Sequence, residues 1–268
     1  MGEDRGVNLG SLIKRVRVDA GRLRAAAERR LDAGGAPARR ATPMPAATSE
    51  LEKLYPNLPG AALKAAVEAS LEGVLVSDHS LTRFAMYKAL HDRLASEDGL
   101  GKTCLSISGS KRLARILGMK AAKLTDAAYP EHTMLSLRFA DATFDACVSD
   151  QVLEHVEGNP FDAVSETFRV TRPGGFVVHT TCVLNPIHRE PGDFWRFTPD
   201  ALALLFRAAG GQVIETGSWG NRQALALTEV GIRTAKVPVD IHHPLHRIAM
   251  ANDPAWPIHT WVIAQKPS

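Results

Sequence analysis

Two histidines and their acidic neighbours are the side chains best placed to do chemistry in this chain. The run Asp150-Gln151-Val152-Leu153-Glu154-His155 follows an apolar stretch, Phe144 to Ser149. His188 lies farther on, ahead of Asp193, Trp195 and Arg196. Imidazole titrates near neutral pH, so His155 and His188 rank equally as candidate general bases, and Glu154 could orient one of them. Each histidine could equally be structural or position a substrate. Two other positions follow apolar stretches. In Ser106-Ile107-Ser108-Gly109-Ser110, small residues let a ligand approach the backbone, and N–H groups of a following helix could meet a carboxylate. Such turns are also common as plain connections. Thr125-Asp126 ends a second stretch, where a carboxylate could accept both hydroxyls of a ribose, cap a helix or simply face water.

Elements must carry these residues. From Lys102 short apolar segments alternate with helical patterns, which predicts an α/β fold with a parallel sheet built from βαβ units. Strands are expected at about 103–107, 123–126, 134–138, 145–149, 175–181, 212–218 and 258–265. Helices are expected at about 110–118, 152–156 with 160–171, and 198–209. In such a sheet, ligands bind beyond the carboxyl ends of the strands. Thr198-Pro199 reads as an N-cap followed by proline at the first helical position. Upstream, residues 9–32 read as a basic amphipathic helix and 33–48 as a linker. Ser49 and Glu52 suggest a capping box, and Pro59-Gly60 a helix through about Ser70. A third helix, capped by Ser77 or Asp78, would carry Leu81, Phe84, Met86, Leu90 and Leu94. These helices could cap the substrate mouth or pack in the core. Residues 219–257 exceed what a hairpin needs and suggest a lid or an oligomer contact. His242, His243 and His246 lie there, but Pro244 argues against one helix presenting the first and last together, so a lid or dimer contact is preferred to a metal site.

Composition narrows the class. The 268 residues are 45% hydrophobic and 23% charged, ordinary for a globular chain. No apolar run approaches the roughly 20 residues that span a bilayer, and the first residues lack a secretory pattern. Cys104, Cys147 and Cys182 are widely spaced and sit in apolar stretches, as small core residues in a reduced setting would. A cytoplasmic location is the expectation. The net charge of +3 is uneven: residues 1–40 hold +5, leaving −2 for the rest. A mildly acidic body argues against a nucleic-acid surface on the main domain.

The most specific stretch is LRFADATFDACVSDQVLEHVEGNPFDAVSETFRVTRPGGFVV, residues 137–178. It resembles the class I S-adenosylmethionine-dependent methyltransferases, in particular the methyltransferase type 11 family, and the likeness extends over about 103–218. The resemblance implies a doubly wound, seven-stranded, mostly parallel Rossmann-like sheet with helices on both faces, here with an N-terminal helical extension. Together with the local patterns, this gives expected domain boundaries at 1–48 for the basic helix and linker and 49–268 for the methyltransferase, with 49–101 as a helical cap. It places Ser108 and Gly109 by the methionine moiety and Asp126 on the ribose. Phe139, Ala140 and Asp141 would flank the adenine, and Ser149, Asp150 and Gln151 would line the cofactor beside the sulfonium. One departure stands out: the family's acid and first glycine in the opening turn are replaced by Ser106 and Ser108.

The segment around His188 and Asp193-Phe194-Trp195-Arg196-Phe197-Thr198-Pro199 resembles a branch of that family acting on glycans and natural products. There the loop borders the acceptor, which implies acceptor contacts from Asp193, Trp195 and Arg196. Trp195 could instead be a buried anchor, and Arg196 could pair with an acid. The implied reaction is methyl transfer to a hydroxyl of a sugar, oligosaccharide or glycosylated small molecule. An N-methyltransferase of an amino sugar or small amine, and an inactive binding subunit, are the alternatives. Some relatives bind a divalent ion at the matching run, so Asp150, Glu154 and His155 could hold Mg²⁺, although the metal-free reading is preferred. A homo-oligomer is compatible with all of this.

Overall fold

The computed structural model describes residues 60–94, 103–119, 123–189 and 191–268. The expected helix at 9–32, the linker at 33–48 and the capping box at Ser49 and Glu52 lie outside the described residues.

A six-stranded sheet forms the centre. Its strands are β2 (Thr103–Ile107), β3 (Lys123–Ala127), β4 (Phe144–Asp150), β5 (Thr171–Cys182), β6 (Gln212–Trp219) and β8 (His259–Gln265). They run in the order β3-β2-β4-β5-β8-β6. The first four are mutually parallel, while β8 is antiparallel to both β5 and β6. Strand residues alternate between two cores, as the pleat requires. Cys104, Ala146, Val148, Val178 and Ile263 face one core, which also takes Leu81 and Leu90 from α2 (Leu81–Leu94) and Leu113 from α3 (Lys111–Ile116). Leu105, Cys147, Val177 and Val262 face the other, filled by Val164 and Phe168 of α4 (Pro160–Val170) and Leu202 and Phe206 of α5 (Pro199–Ala208). This is the α/β fold that the alternating pattern predicts, in the doubly wound, mainly parallel Rossmann-like form that the resemblance implies. Two of its helices start on the same device. The side chains of Asn159 and Thr198 accept from backbone N–H groups, with proline at the next residue. All three cysteines are free and buried, and burial pushes the Cys104 thiol up to about 12.

The sheet has six strands and not the expected seven. Residues 134–138 form no strand; Thr133 and Ser136 make an isolated bridge. Met134 and Leu137 are the buried positions here, three apart and not two, so the segment cannot present one face as a strand does. Its polar backbone is satisfied by α4 instead. Leu137 N donates to Glu166 Oε1 (2.9 Å), and Arg169 donates to the carbonyls of Leu137 (2.8 Å) and Phe139 (2.9 Å).

The N-terminal helices also differ in detail. Helix α1 spans Gly60–Ser70. Ser77 and Asp78, the expected caps, lie instead in β1 (Val76–Ser80), which pairs antiparallel with β7 (Lys236–Pro238). These two residues fall in the irregular stretch between the paired residues Val76 and Ser80, where the Asp78 carbonyl accepts from Lys236 Nζ (2.6 Å), and α2 begins at Leu81. Within residues 219–257, α6 (Arg222–Glu229), β7 and α7 (Pro244–Met250) bury Leu227, Val237, Leu245 and Ala249 in the core that also holds α2. The three histidines of this segment diverge. His243 caps α7 through its side chain, and His246 Nδ1 meets the Pro238 carbonyl at 2.7 Å.

Arg169 ties residues 137–141 to the sheet's helical layer, adding ion pairs to Glu166 (2.7 Å) and Asp141 (2.6 Å). Arg169→Met should lower unfolding stability by about 2 kcal/mol, the worth of one or two charge-assisted bonds left unpaired. Urea denaturation checks this, with an unchanged m-value expected.

Candidate active site

The site forms where β2, β3, β4 and β5 end together. Beyond β2, Ser108 adopts φ 49° and Gly109 φ 81°. Beyond β4, Gln151 adopts φ 57°. L-residues rarely sit in the left-handed region, and such strain clusters at functional sites. Ser108 and Gln151 both line a cavity of about 560 Å³, together with Tyr129, His132, Asp150 and His155. That volume is within the usual range for small-molecule sites.

The odd opening turn has a local explanation. Ser106, fully buried, donates to Asp126 Oδ1 at 2.9 Å, and Gly109 N donates to the same oxygen at 3.2 Å. A carboxylate at 106 would repel Asp126, so the serine suits this pair. Asp126 Oδ2 faces Lys111 Nζ at 3.6 Å, too long for a hydrogen bond.

Asp150 is held from two elements, α2 and β5. The Tyr87 hydroxyl on α2 and Thr180 Oγ1 on β5 (2.7 Å) both donate to it, and Arg83 Nε stands 3.8 Å away. Arg83 also donates to His259 Nε2 at 2.7 Å. Burial, then Arg83 itself, drives the His259 pKa far down, so the ring is a neutral acceptor. Burial, reinforced by Asp150, raises the Tyr87 phenol well above its ordinary range. Gln151 is tied to β5: its Nε2 donates to Thr180 Oγ1 (3.1 Å) and to the Thr181 carbonyl (3.0 Å).

The turn Leu153–His155 carries the other candidates. Glu154 is fully buried. Thr181 Oγ1 donates to its Oε2 at 2.8 Å, while Oε1 has no partner. Burial raises this carboxyl above the usual carboxylate range. His155 Nδ1 meets the Gly192 carbonyl. A carbonyl only accepts, so Nδ1 carries a hydrogen, and in the neutral ring the lone pair lies on Nε2. The His188 ring stands edge-on to it, centroids 4.8 Å apart. The structure thus unites the two histidines that the sequence could only rank.

His188 is positioned by Asp193, whose Oδ2 accepts from His188 N at 2.9 Å. Asp193 is 1% exposed and bonded through both oxygens by Arg196. The guanidinium holds its carboxyl far below the usual range. Phe194 N (2.9 Å) and Trp195 N (3.1 Å) donate to the Glu154 carbonyl, and Trp195 Nε1 donates to the Val156 carbonyl (2.9 Å).

Several expected residues are not brought to the cavity. Ser149 is fully buried and its hydroxyl pairs with His179 Nδ1 at 2.5 Å, behind the strand. Burial pushes His179 down to about 3, a neutral core imidazole. Asp141, 78% exposed, faces Arg169, and Phe139 stacks behind His132 with ring centroids 4.9 Å apart. Residues 132–135 line the wall expected of 139–141, because Arg169 draws the latter to α4. Gly109, Asp126 and Ala140 are likewise absent from the cavity's lining. Asp193, Trp195 and Arg196 serve the loop's own frame, while Pro191, Gly192 and Phe194 border the cavity. Asp150 is not gathered with Glu154 and His155 as a ligand set; His188 is. Tyr87, Tyr129, His132 and Thr180 escaped the sequence reading. Tyr87 alone left a signal, three residues beyond Phe84 on an otherwise apolar helix face.

Asp193→Asn should destabilise the fold by about 2 kcal/mol at neutral pH by unpairing Arg196. The folded pKa is depressed, so this contribution is complete above the unfolded carboxylate value and fades as pH falls below it. Denaturation midpoints of the two proteins should converge in acid.

Residues 89–179 match the family model described as a methyltransferase domain. None of the curated proteins matches the chain. Among solved structures, the chain is similar to the cyclase SpnF, at 18% identity and TM-score 0.46, over 81% of this chain and 95% of that one. It is similar to an S-adenosylmethionine-dependent methyltransferase from Mesorhizobium loti, at 14% identity and TM-score 0.46, over 69% and 100%. It is also similar to a geranyl diphosphate methyltransferase in complex with S-adenosylmethionine, at 14% identity and TM-score 0.41, over 68% and 84%. The family match over residues 89–179 supports a class I, S-adenosylmethionine-dependent methyltransferase.

Proposed function

We propose that the protein transfers a methyl group from S-adenosylmethionine to a hydroxyl of a sugar, oligosaccharide or glycosylated small molecule. The observation that carries the hydroxyl reading is His155, on the cavity wall with Nδ1 locked and Nε2 open. A neutral hydroxyl is a poor nucleophile and profits from a positioned base; an amine needs one less. The sugar class rests on the sequence resemblance of the His188–Pro199 loop.

The residues present fit the cofactor. The cavity is large enough and Ser108 and Gln151 bring strained backbone to its wall; Asp126, near the end of β3 outside that lining and facing Lys111 through Oδ2, is the acid that would meet a ribose hydroxyl. When bound, S-adenosylmethionine supplies an electrophilic methyl on a sulfonium. The chain supplies alignment and proton transfer. Asp150, braced by Tyr87, Thr180 and Arg83, fixes the wall beside the reacting centre. In a transfer from that methyl donor to a hydroxyl, His155 Nε2 would take the acceptor's proton as the thioether leaves. His188 buttresses that ring.

Among the described residues, no helix is long and apolar enough to cross a membrane. Residues 219–257 expose Val239, Ile241 and Met250, which supports a contact with a second copy.

Calorimetry with S-adenosylhomocysteine tests the cofactor reading; Asp126→Ala should weaken binding about tenfold, and wild-type protein that binds none would defeat it. His155→Ala should lower kcat by about 100-fold with little change in cofactor affinity, measured on a sugar-hydroxyl acceptor. Full turnover by that variant would remove the base assignment.

A further inference from the structure

Glu154, His155 and His188 each offer one ligand atom, and the three atoms lie within 4.8 Å of one another. Several features of this group point to a ligand. Glu154 Oε1 is fully buried without a partner although Oε2 is anchored by Thr181, and a buried carboxylate oxygen left unpaired is costly. His155 donates from Nδ1 to a backbone carbonyl, the arrangement that orients metal-ligating imidazoles, and so presents Nε2. The neighbours of His188, the Pro186 carbonyl (3.1 Å), Asn185 Nδ2 (3.2 Å) and Asp193 Oδ2 (3.3 Å), all gather at Nδ1, so Nε2 is the nitrogen left for a ligand. The nearest cations are already paired: Arg196 with Asp193, and Arg83 with Asp150 and His259.

We infer that Glu154, His155 and His188 form a binding site for a divalent transition-metal ion at the edge of the cavity. Two imidazoles and one carboxylate suit Zn²⁺, Fe²⁺, Co²⁺ or Mn²⁺ better than Mg²⁺, which prefers an oxygen shell. Ligand atoms about 2 Å from one ion stand at most about 4 Å apart, so the widest pair here must close by about 1 Å. His188 lies in the loop between β5 and α5, outside any element, where a side-chain rotation supplies that closure. His155 lines the cavity, so an ion held there would border the space where an acceptor binds. This set differs from the Asp150-containing one, because Asp150 is committed to Tyr87 and Thr180. A bound ion takes the Nε2 that would otherwise receive the acceptor's proton, so the ion and the imidazole base exclude each other. That consequence rests on the hydroxyl-acceptor reading; ion binding does not.

Chelator-treated full-length protein, titrated with Co²⁺, provides the test. The expected result is one equivalent bound, with ligand-field absorption bands that Zn²⁺ abolishes. The bands should vanish in His188→Ala and in Glu154→Gln, and persist in His242→Ala. Far-ultraviolet circular dichroism on each sample establishes folding, and the loop position of His188 keeps one variant informative if Glu154→Gln unfolds. Wild-type protein without bands, bands that survive at His188→Ala, or bands lost at His242→Ala would each overturn the site. Calorimetry with S-adenosylhomocysteine on the same samples separates the readings. Cofactor binding without Co²⁺ binding overturns the metal site alone, and Co²⁺ binding without cofactor binding overturns the cofactor assignment alone.

Discussion

The site depends on how β4 stops. This strand lies at the sheet's centre, between β2 and β5, so its backbone is paired on both sides up to Asp150. The chain then reverses through Gln151 in the left-handed region, a conformation that costs a non-glycine residue on the order of 1 kcal/mol or more. Bonds to β5 offset that cost: Gln151 N donates to the Thr180 carbonyl (3.0 Å), and its side chain reaches Thr180 and Thr181. The reversal turns Asp150 and His155 toward the cavity while Glu154 goes into the core. Had β4 run one residue longer, the alternation of faces would have exchanged their surroundings.

A second layer of order hangs on that turn. The carbonyl of Glu154 takes two N–H groups, from Phe194 and Trp195, so the long loop after β5 is docked against the turn after β4. Asp193 and Arg196 brace the loop from within, and Asp193 holds the backbone of His188. His188 therefore reaches His155 across 33 residues of chain because one backbone oxygen and one ion pair set the loop's course. Residues that look like acceptor contacts in the sequence are the frame, and their neighbours Gly192 and Phe194 border the cavity.

Much of the fold could be read from the sequence because local pattern and burial agree there. β2, β4, β8 and the latter part of β5 are largely buried on both faces and read as short apolar-rich runs, and α5 announces itself by a capping side chain followed by proline. The reading failed where a distant partner overrode the local signal. Residues 134–138 look like a strand but have their backbone satisfied by Glu166 and Arg169 from α4. Ser77 and Asp78 look like caps but lie in a strand that β7 holds at Val76 and Ser80, with the Asp78 carbonyl taken by Lys236.

The sequence alone determined the class of sheet, the run from Asp150 to His155 at a strand's carboxyl end, and the two histidines, since these follow from periodicity and from residue chemistry at fixed spacing. Tertiary structure decided which of those residues meet. It turned Ser149 and Asp141 away, brought Tyr87 and Arg83 from α2 onto Asp150, and set Glu154, His155 and His188 together. Those contacts join residues tens of positions apart, and their geometry depends on loop paths set by single buried bonds, which leave no period in the sequence.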